Sequence, residues 1–213
     1  MEGTFCFVDL AGFTALTEAH GAEAAADLVG RFTSLVREAL GAHGRLIDRI
    51  GDAAFVVCPT ADDGVTFTTQ LFGNVAGEPD FPALRAGLHH GEALERDGSF
   101  YGATINLAAR VAAQARGGQI VATRQVADAA KRRGLVVESL GLVALRNVRE
   151  PVELFALNAA AVGQPVAIDP VCRMRVQPSK AAGRLQHEGV DYWFCSLMCA
   201  SEFARDPAAF VSP

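Results

Sequence analysis

Two aspartates on separate strands are the side chains best suited to chemistry in this 213-residue chain. Asp9 stands in Phe7-Val8-Asp9-Leu10-Ala11-Gly12-Phe13-Thr14, at the end of an apolar, β-prone run from Thr4 to Leu10. A carboxylate leaving such a strand, ahead of a small residue and a glycine, suits a hard cation beside a phosphate. Gly12 lets backbone N–H groups approach an anion, and Thr14 is expected to cap the helix that follows. A solvated aspartate in a strand–helix turn satisfies the octet taken alone equally well. Asp52 follows Gly51 in a tight turn between Arg45–Ile50 and Ala53–Cys58, the pattern of a β-hairpin. Gly-Asp is also ordinary turn chemistry. Here it sets a second carboxylate at the end of a strand able to lie beside the first. Two such groups can bridge paired divalent ions, which clamp a triphosphate while activating a hydroxyl.

Asn106 and Arg110 lie four apart in the alanine-rich stretch from Gly102 to Ala115, so a helix presents both on one face, one turn apart. That pair is either a solvated polar stripe or an amide for a ribose and a guanidinium for phosphate charge. His89 and His90 are adjacent on the expected strand Leu84–Leu94, and neighbouring strand residues point to opposite faces, so one shared ion is not expected there.

These side chains need a scaffold, and the hydrophobic pattern supplies one. Ala22–Leu40 is an amphipathic helix ended by Gly41 and Gly44, Thr60–Ala76 a second helix, Gln119–Thr123 a strand, and Gln125–Lys131 a short helix. Leu135–Leu157 adds further strands, with Arg146 and Arg149 ahead of Glu150-Pro151. Alternating strands and helices of this size indicate an α/β or α+β sandwich.

Ala159–Val166 is small and uncharged, the composition of a linker. Beyond it come Asp169-Pro170-Val171-Cys172, Tyr192-Trp193-Phe194-Cys195-Ser196-Leu197-Met198-Cys199 and Asp206-Pro207-Ala208-Ala209-Phe210. A tail this short builds little core, so a metal staple is physically reasonable. Cys195 and Cys199 fall i, i+4 if a helix starts there, and can converge on a soft ion with Cys172; three reduced thiols in a hydrophobic knot is the other reading. The fourth ligand is unassigned, with His187 a candidate on chemistry alone. Cys6 and Cys58 lie in apolar strands and are expected as buried thiols.

FVDLAGFT (7–14), IGDAAFVV (50–57), LHHGEA (88–93), YGATINLAAR (101–110) and LRNVREPVELFAL (145–157), in this order, resemble the class III nucleotidyl cyclase catalytic domain. The resemblance implies a ferredoxin-like α+β fold, an antiparallel-rich sheet with helices on one face, acting as a dimer with its sites at the subunit interface. It implies that Asp9 and Asp52 hold two Mg2+ or Mn2+ ions. Asn106 and Arg110 would come from the partner copy, to orient the ribose and meet transition-state charge. Arg146 falls near the family's basic residue for the triphosphate. The family's adenine-selecting lysine lies four residues before the second metal aspartate, which is Asp48 in this chain. The aspartate that accompanies it in adenylate cyclases lies seven before the asparagine, which is Ser99. An ionised Asp48 can only accept hydrogen bonds, which suits N1–H and the N2 amine of guanine. The tail resembles the YHS domain, related to TRASH-type metal-binding modules, with Arg173 where a glycine usually follows the first cysteine. That likeness implies Zn2+ or copper at Cys172, Cys195 and Cys199.

The expected organisation is therefore a cyclase domain over 1–158, a linker over 159–166 and a YHS domain over 167–213. The expected substrate is ATP or GTP, converted by a homodimer. A non-catalytic dimeric platform that binds nucleotide or senses metal is the alternative. A net charge of −5 argues against a nucleic-acid partner. No run reaches the length of a membrane span, and the first residues lack the pattern of a secretory leader, so a soluble cytoplasmic protein without membrane partners is expected.

Overall fold

The computed structural model describes residues 1–78, 80–158 and 166–211. In chain order the larger part runs β1 (Glu2–Leu10), α1 (Phe13–Leu40), β2 (Arg45–Ile50), β3 (Ala53–Cys58), α2 (Ala61–Gly77), β4 (Leu84–Glu92), β5 (Leu94–Arg96), β6 (Ser99–Tyr101), α3 (Ala103–Ala112), β7 (Ile120–Thr123), α4 (Arg124–Arg132), β8 (Val136–Val143) and β9 (Val152–Asn158). The tail adds β10 (Ala167–Ile168), β11 (Arg175–Val176), β12 (Gly183–His187), β13 (Val190–Phe194) and α5 (Leu197–Arg205). The predicted linker, apart from Val166, lies outside the described residues.

Seven strands form one sheet in the order β2-β3-β1-β4-β7-β9-β8, with β4–β7 the parallel pair. This is an α+β sandwich around a largely antiparallel sheet. Alternation along β1 sorts its two faces. Cys6, Val8 and Leu10 point into the main core with Phe32, Leu35 and Val36 of α1 and Val65, Phe67 and Leu71 of α2. Phe5 and Phe7 face the other way, among Phe55, Phe100 and Ala108 of α3. Cys6 and Cys58 are buried free thiols.

Helices therefore cover both faces, where the resemblance implied one. α3 lies against the face opposite α1, α2 and α4, and Gly87 lets it approach. A Cβ built on Gly87 would stand 2.0 Å from the backbone nitrogen of Ala112. The helix that carries Asn106 and Arg110 is thus seated on β4 at a point where a side chain has no room.

α1 departs from the expected Ala22–Leu40. It begins at Phe13, and Gly21, at φ 84° and ψ 170°, breaks it into two segments. The pattern of apolar residues marks the second segment clearly; the first is short and interrupted by glycine, so its periodicity is weak. Gly12, at φ 80°, caps the helix in the left-handed region, and Thr14 is inside the first turn, correcting the expected Thr14 cap. Glycine adopts that conformation without strain, so the turn closes without a capping hydroxyl.

Gly87→Ala should cost about 2 kcal/mol in urea unfolding, because the new methyl has to displace α3 backbone. An unchanged midpoint would show that α3 is not held at this distance.

Candidate functional site

Asp9, next to last in β1, shares the face of Phe5 and Phe7. It lies opposite Arg85 of β4 on one side and Ala53 of β3 on the other. Asp52, one residue ahead of Ala53 in the β2–β3 turn, therefore falls beside it. Arg85 donates from Nε to Asp9 Oδ2 at 2.7 Å and pairs with the same oxygen through a second nitrogen. The other oxygen, Oδ1, is buried without a hydrogen-bond partner among the described residues. Such an atom is expensive to leave unsatisfied, and an acceptor-only carboxylate oxygen beside a second aspartate is what a divalent cation fits. Burial pushes the Asp9 carboxyl up to about 6, with the neighbouring Asp52 carboxylate adding to it and Arg85 opposing. Arg85 escaped sequence reasoning because only the β1–β4 register places it against Asp9.

Immediately after Asp9, Gly12 turns the chain so that the first-turn N–H groups of Phe13 and Thr14 lack intrahelical acceptors, an arrangement that receives anions. Asp48 is brought to the Asp9 face by an irregularity. The β2–β3 register shifts between Leu46 and Asp48, so Leu46 pairs with Val56 while Asp48 pairs with Phe55. Phe55 in turn pairs with Phe7 and stacks on it at 4.6 Å. Regular alternation would have turned Asp48 to the α1 side, and a bulge reverses that. Ser99 opens β6 opposite Arg96 and is exposed. Arg146 is exposed in the β8–β9 connection.

Asn106 and Arg110 are both exposed on α3. Neither is hydrogen-bonded to Asp9 or Asp52 among the described residues. The two histidines of β4 go separate ways. His89 contacts the Thr123 hydroxyl at 2.9 Å, and His90 contacts that of Thr4 at 2.8 Å.

In the tail, Cys172, Cys195 and Cys199 do converge. Their sulfurs lie 3.4 Å (Cys172–Cys195) and 3.8 Å (Cys195–Cys199) apart. Buried Asp169 organises the knot: Oδ1 accepts from the N–H groups of Val171 and Cys172, and Oδ2 accepts from that of Cys195. Cys195 precedes α5 instead of starting it, because Ser196 caps the helix and accepts from Cys199 N–H. Hydrogen bonds from Cys172 and Cys195, with help from Ser196 and the charge of His20, hold the Cys199 thiol far below its ordinary range. His187, the candidate fourth ligand, is elsewhere, edge-on to Phe203 with ring centres 6.2 Å apart. The residue that joins the cysteines is His20 of α1, whose Nε2 is 3.6 Å from Cys195 Sγ and 3.9 Å from Cys199 Sγ. No spacing rule connects a histidine in the first helix to cysteines 175 and 179 residues later, so the sequence offered no signal for it.

The raised Asp9 carboxyl implies a stability term that is full below the ordinary carboxylate range and lost as pH rises through about 6. In chelator, Asp9→Asn should therefore be more stable than wild type by about 1–2 kcal/mol at pH 8, discounting for partial exposure, and gain almost nothing at pH 3. Thermal melts at the two pH values measure this; equal gains at both would contradict it.

Residues 2–159 match the model of the adenylate and guanylate cyclase catalytic domain, and residues 167–213 match the YHS domain. A pH-sensitive adenylate cyclase of Mycobacterium tuberculosis is 35% identical over 162 residues, covering 74% of this chain and 41% of that protein. An adenylate cyclase of Glutamicibacter nicotianae is 29% identical over 160 residues, covering 73% and 40%. This chain thus spans well under half the length of these curated relatives. Among solved structures, an adenylate cyclase from Trypanosoma brucei in its monomeric state superposes with TM-score 0.69 at 22% identity, over 77% of this chain and 91% of that one. The guanylate cyclase domain of RhGC from Catenaria anguillulae, in complex with GTP, gives 0.61 at 18% identity, over 74% and 96%. At such identities the structures speak for the fold. No helix among the described residues is long and apolar enough to cross a membrane. Taken with the sheet and the paired aspartates, these matches mean that the chain belongs to the class III adenylate and guanylate cyclase family and carries a C-terminal YHS domain.

Proposed function

We propose that this chain converts a purine nucleoside triphosphate to the 3′,5′-cyclic monophosphate and pyrophosphate, as a homodimer with composite sites. The observation that carries the reading is the buried, unpartnered Oδ1 of Asp9 beside Asp52, at the mouth of an N–H-lined turn. Class III cyclases use divalent metals, and Asp9 and Asp52 would hold two Mg2+ or Mn2+ ions. Bound there, such ions lower the pKa of a ribose hydroxyl and neutralise a leaving pyrophosphate.

The chain's own side chains do the rest. Arg85 holds the Asp9 carboxylate by one oxygen and leaves the other free to ligate. Gly12, Phe13 and Thr14 offer backbone N–H groups to the phosphates. From the second copy, Asn106 orients the ribose so that its 3′-oxygen faces the α-phosphorus, and Arg110 stabilises charge growing on the phosphoryl oxygens. Arg146 adds positive charge for the triphosphate. A second copy is supported by the exposure of Asn106 and Arg110 and by uncovered apolar residues, Ile50 beside the β2–β3 turn (61% exposed) and, at the Glu2 end of the sheet, Leu94 (56%) and Tyr101 (55%). Asp48 and Ser99 would read the base, and an acceptor at position 48 favours guanine.

Cyclic product and pyrophosphate should form from ATP or GTP with Mn2+, and Arg110→Ala should lose on the order of 100-fold or more in kcat. Asp9→Ala and Arg110→Ala, each inactive alone, should recover about a quarter of wild-type activity when mixed, since a heterodimer rebuilds one intact site of two. Failure to complement, with both variants still dimeric, would remove the shared-site reading. GTP should be preferred, and the pair Asp48→Lys with Ser99→Asp should move the ATP/GTP ratio of kcat/KM toward ATP by on the order of tenfold. An unmoved ratio would free these positions from base selection.

A further inference from the structure

The tail packs onto the cyclase domain, and its cysteine cluster sits at the join. Cys172, Phe194, Cys199 and Phe203 share a core with Leu16 and Ala25 of α1, with Phe13 and Ala19 packed against it. Two further contacts hold the same side. The Arg175 guanidinium donates to the carbonyl of Val75 at the end of α2 at 2.7 Å, and Met174 bridges to Pro82. Four ligand atoms from the two parts (His20 nitrogen and the sulfurs of Cys172, Cys195 and Cys199) lie within 4.8 Å of one another.

Those spacings match a tetrahedral ion. Metal–sulfur bonds of about 2.3 Å give sulfur–sulfur edges of about 3.8 Å, and a metal–nitrogen bond of about 2.0 Å gives nitrogen–sulfur edges of about 3.5 Å. The structure has sulfur pairs at 3.4 and 3.8 Å and nitrogen–sulfur distances of 3.6 and 3.9 Å. Gly21 leaves the helix immediately after His20, so the imidazole ends a segment, Phe13–His20, that can be set apart from the rest of α1. A cleft of about 650 Å³, lined by Ala15, Ala19, Arg173, Met198 and Cys199, gives the cluster an opening to solvent.

We propose that His20 of the cyclase domain is the fourth ligand of a Cys3His site for a borderline-soft divalent ion such as Zn2+, so that the ion clamps the YHS tail to the first segment of α1. The proposal rests on the reading of the tail cysteines as metal ligands and adds a ligand from outside the tail. Its consequence reaches the catalytic loop. The segment that His20 ends begins at Phe13, directly after Gly12, and Arg173 of the tail lies over Gly12, where a Cβ would come within 2.5 Å of the arginine's own. Arg173 adopts φ 65°, a glycine-like conformation held by the hydrogen bond of its N–H to Asp169 O at 2.9 Å. Metal loading thus fixes a cationic turn beside the N–H groups proposed to receive phosphate.

The test uses the reduced full-length chain, with Zn2+ affinity read by competition and the ligand set read by Co2+ absorption. Wild type should bind one ion; His20→Ala should weaken binding on the order of 100-fold and alter the Co2+ bands, and His20→Cys should restore tight binding through a four-thiolate set. Zn2+ should also slow amide exchange over residues 13–20 in wild type and not in His20→Ala. Unchanged affinity and spectrum in His20→Ala would overturn the cross-domain ligand while leaving a tail metal site standing. A loss that cysteine fails to rescue would assign His20 a packing role and overturn it too. Absence of binding by wild type would overturn both this proposal and the reading of the tail cysteines.

Discussion

A carboxylate satisfied on one oxygen and orphaned on the other is the centre of this molecule. Arg85 takes Oδ2 of Asp9, and nothing among the described residues takes Oδ1. A salt bridge to both oxygens would make Asp9 a structural residue; no partner at all would leave it protonated and loosely placed. The observed half-pairing keeps the group aimed and holds its carboxyl near 6, where a cation easily displaces the proton. The surrounding architecture supports that state. Phe7 and Phe55 stack beneath the site, the β2–β3 turn delivers Asp52 and the bulge in β2 turns Asp48 toward it. Stacked aromatics and paired strands are rigid, so the acidic groups are positioned by elements that lose little order when a ligand arrives.

The opposite requirement governs α3. Its arginine and asparagine face outward on a helix pressed against Gly87, well supported at the back and uncovered in front. A helix so seated holds those two side chains at fixed positions on the surface. Ile50, Leu94 and Tyr101 are likewise uncovered, as apolar side chains.

The tail is drawn into this arrangement by its packing on α1. Asp169 uses both carboxylate oxygens on backbone N–H groups, which fixes the two cysteine-bearing loops relative to each other. The Phe194–Phe203 core then rests on Leu16. A small module with little interior gains a second wall from the larger domain, and the larger domain gains a cover on the segment that follows Gly12. The alternative of an isolated module on a tether would leave Phe194, Phe203 and the apolar side of α1 with less to bury them.

Much of this was legible in the order of the residues. β-branched and aromatic runs, glycine–aspartate turns and alanine-rich helices report local preference, and local preference is a property of neighbours in sequence. Those patterns located the strands bearing Asp9 and Asp52, the helix bearing Asn106 and Arg110, and the cysteine-rich tail. Long-range matters were hidden. Arg85 became a partner of Asp9 through cross-strand register, Asp48 changed face through one extra residue in β2, α3 chose the second face of the sheet, and His20 met the cysteines because a domain packed on a helix. Each of these depends on which distant segments lie side by side. That choice is made by burial and close packing over the whole molecule, and no window of sequence contains it.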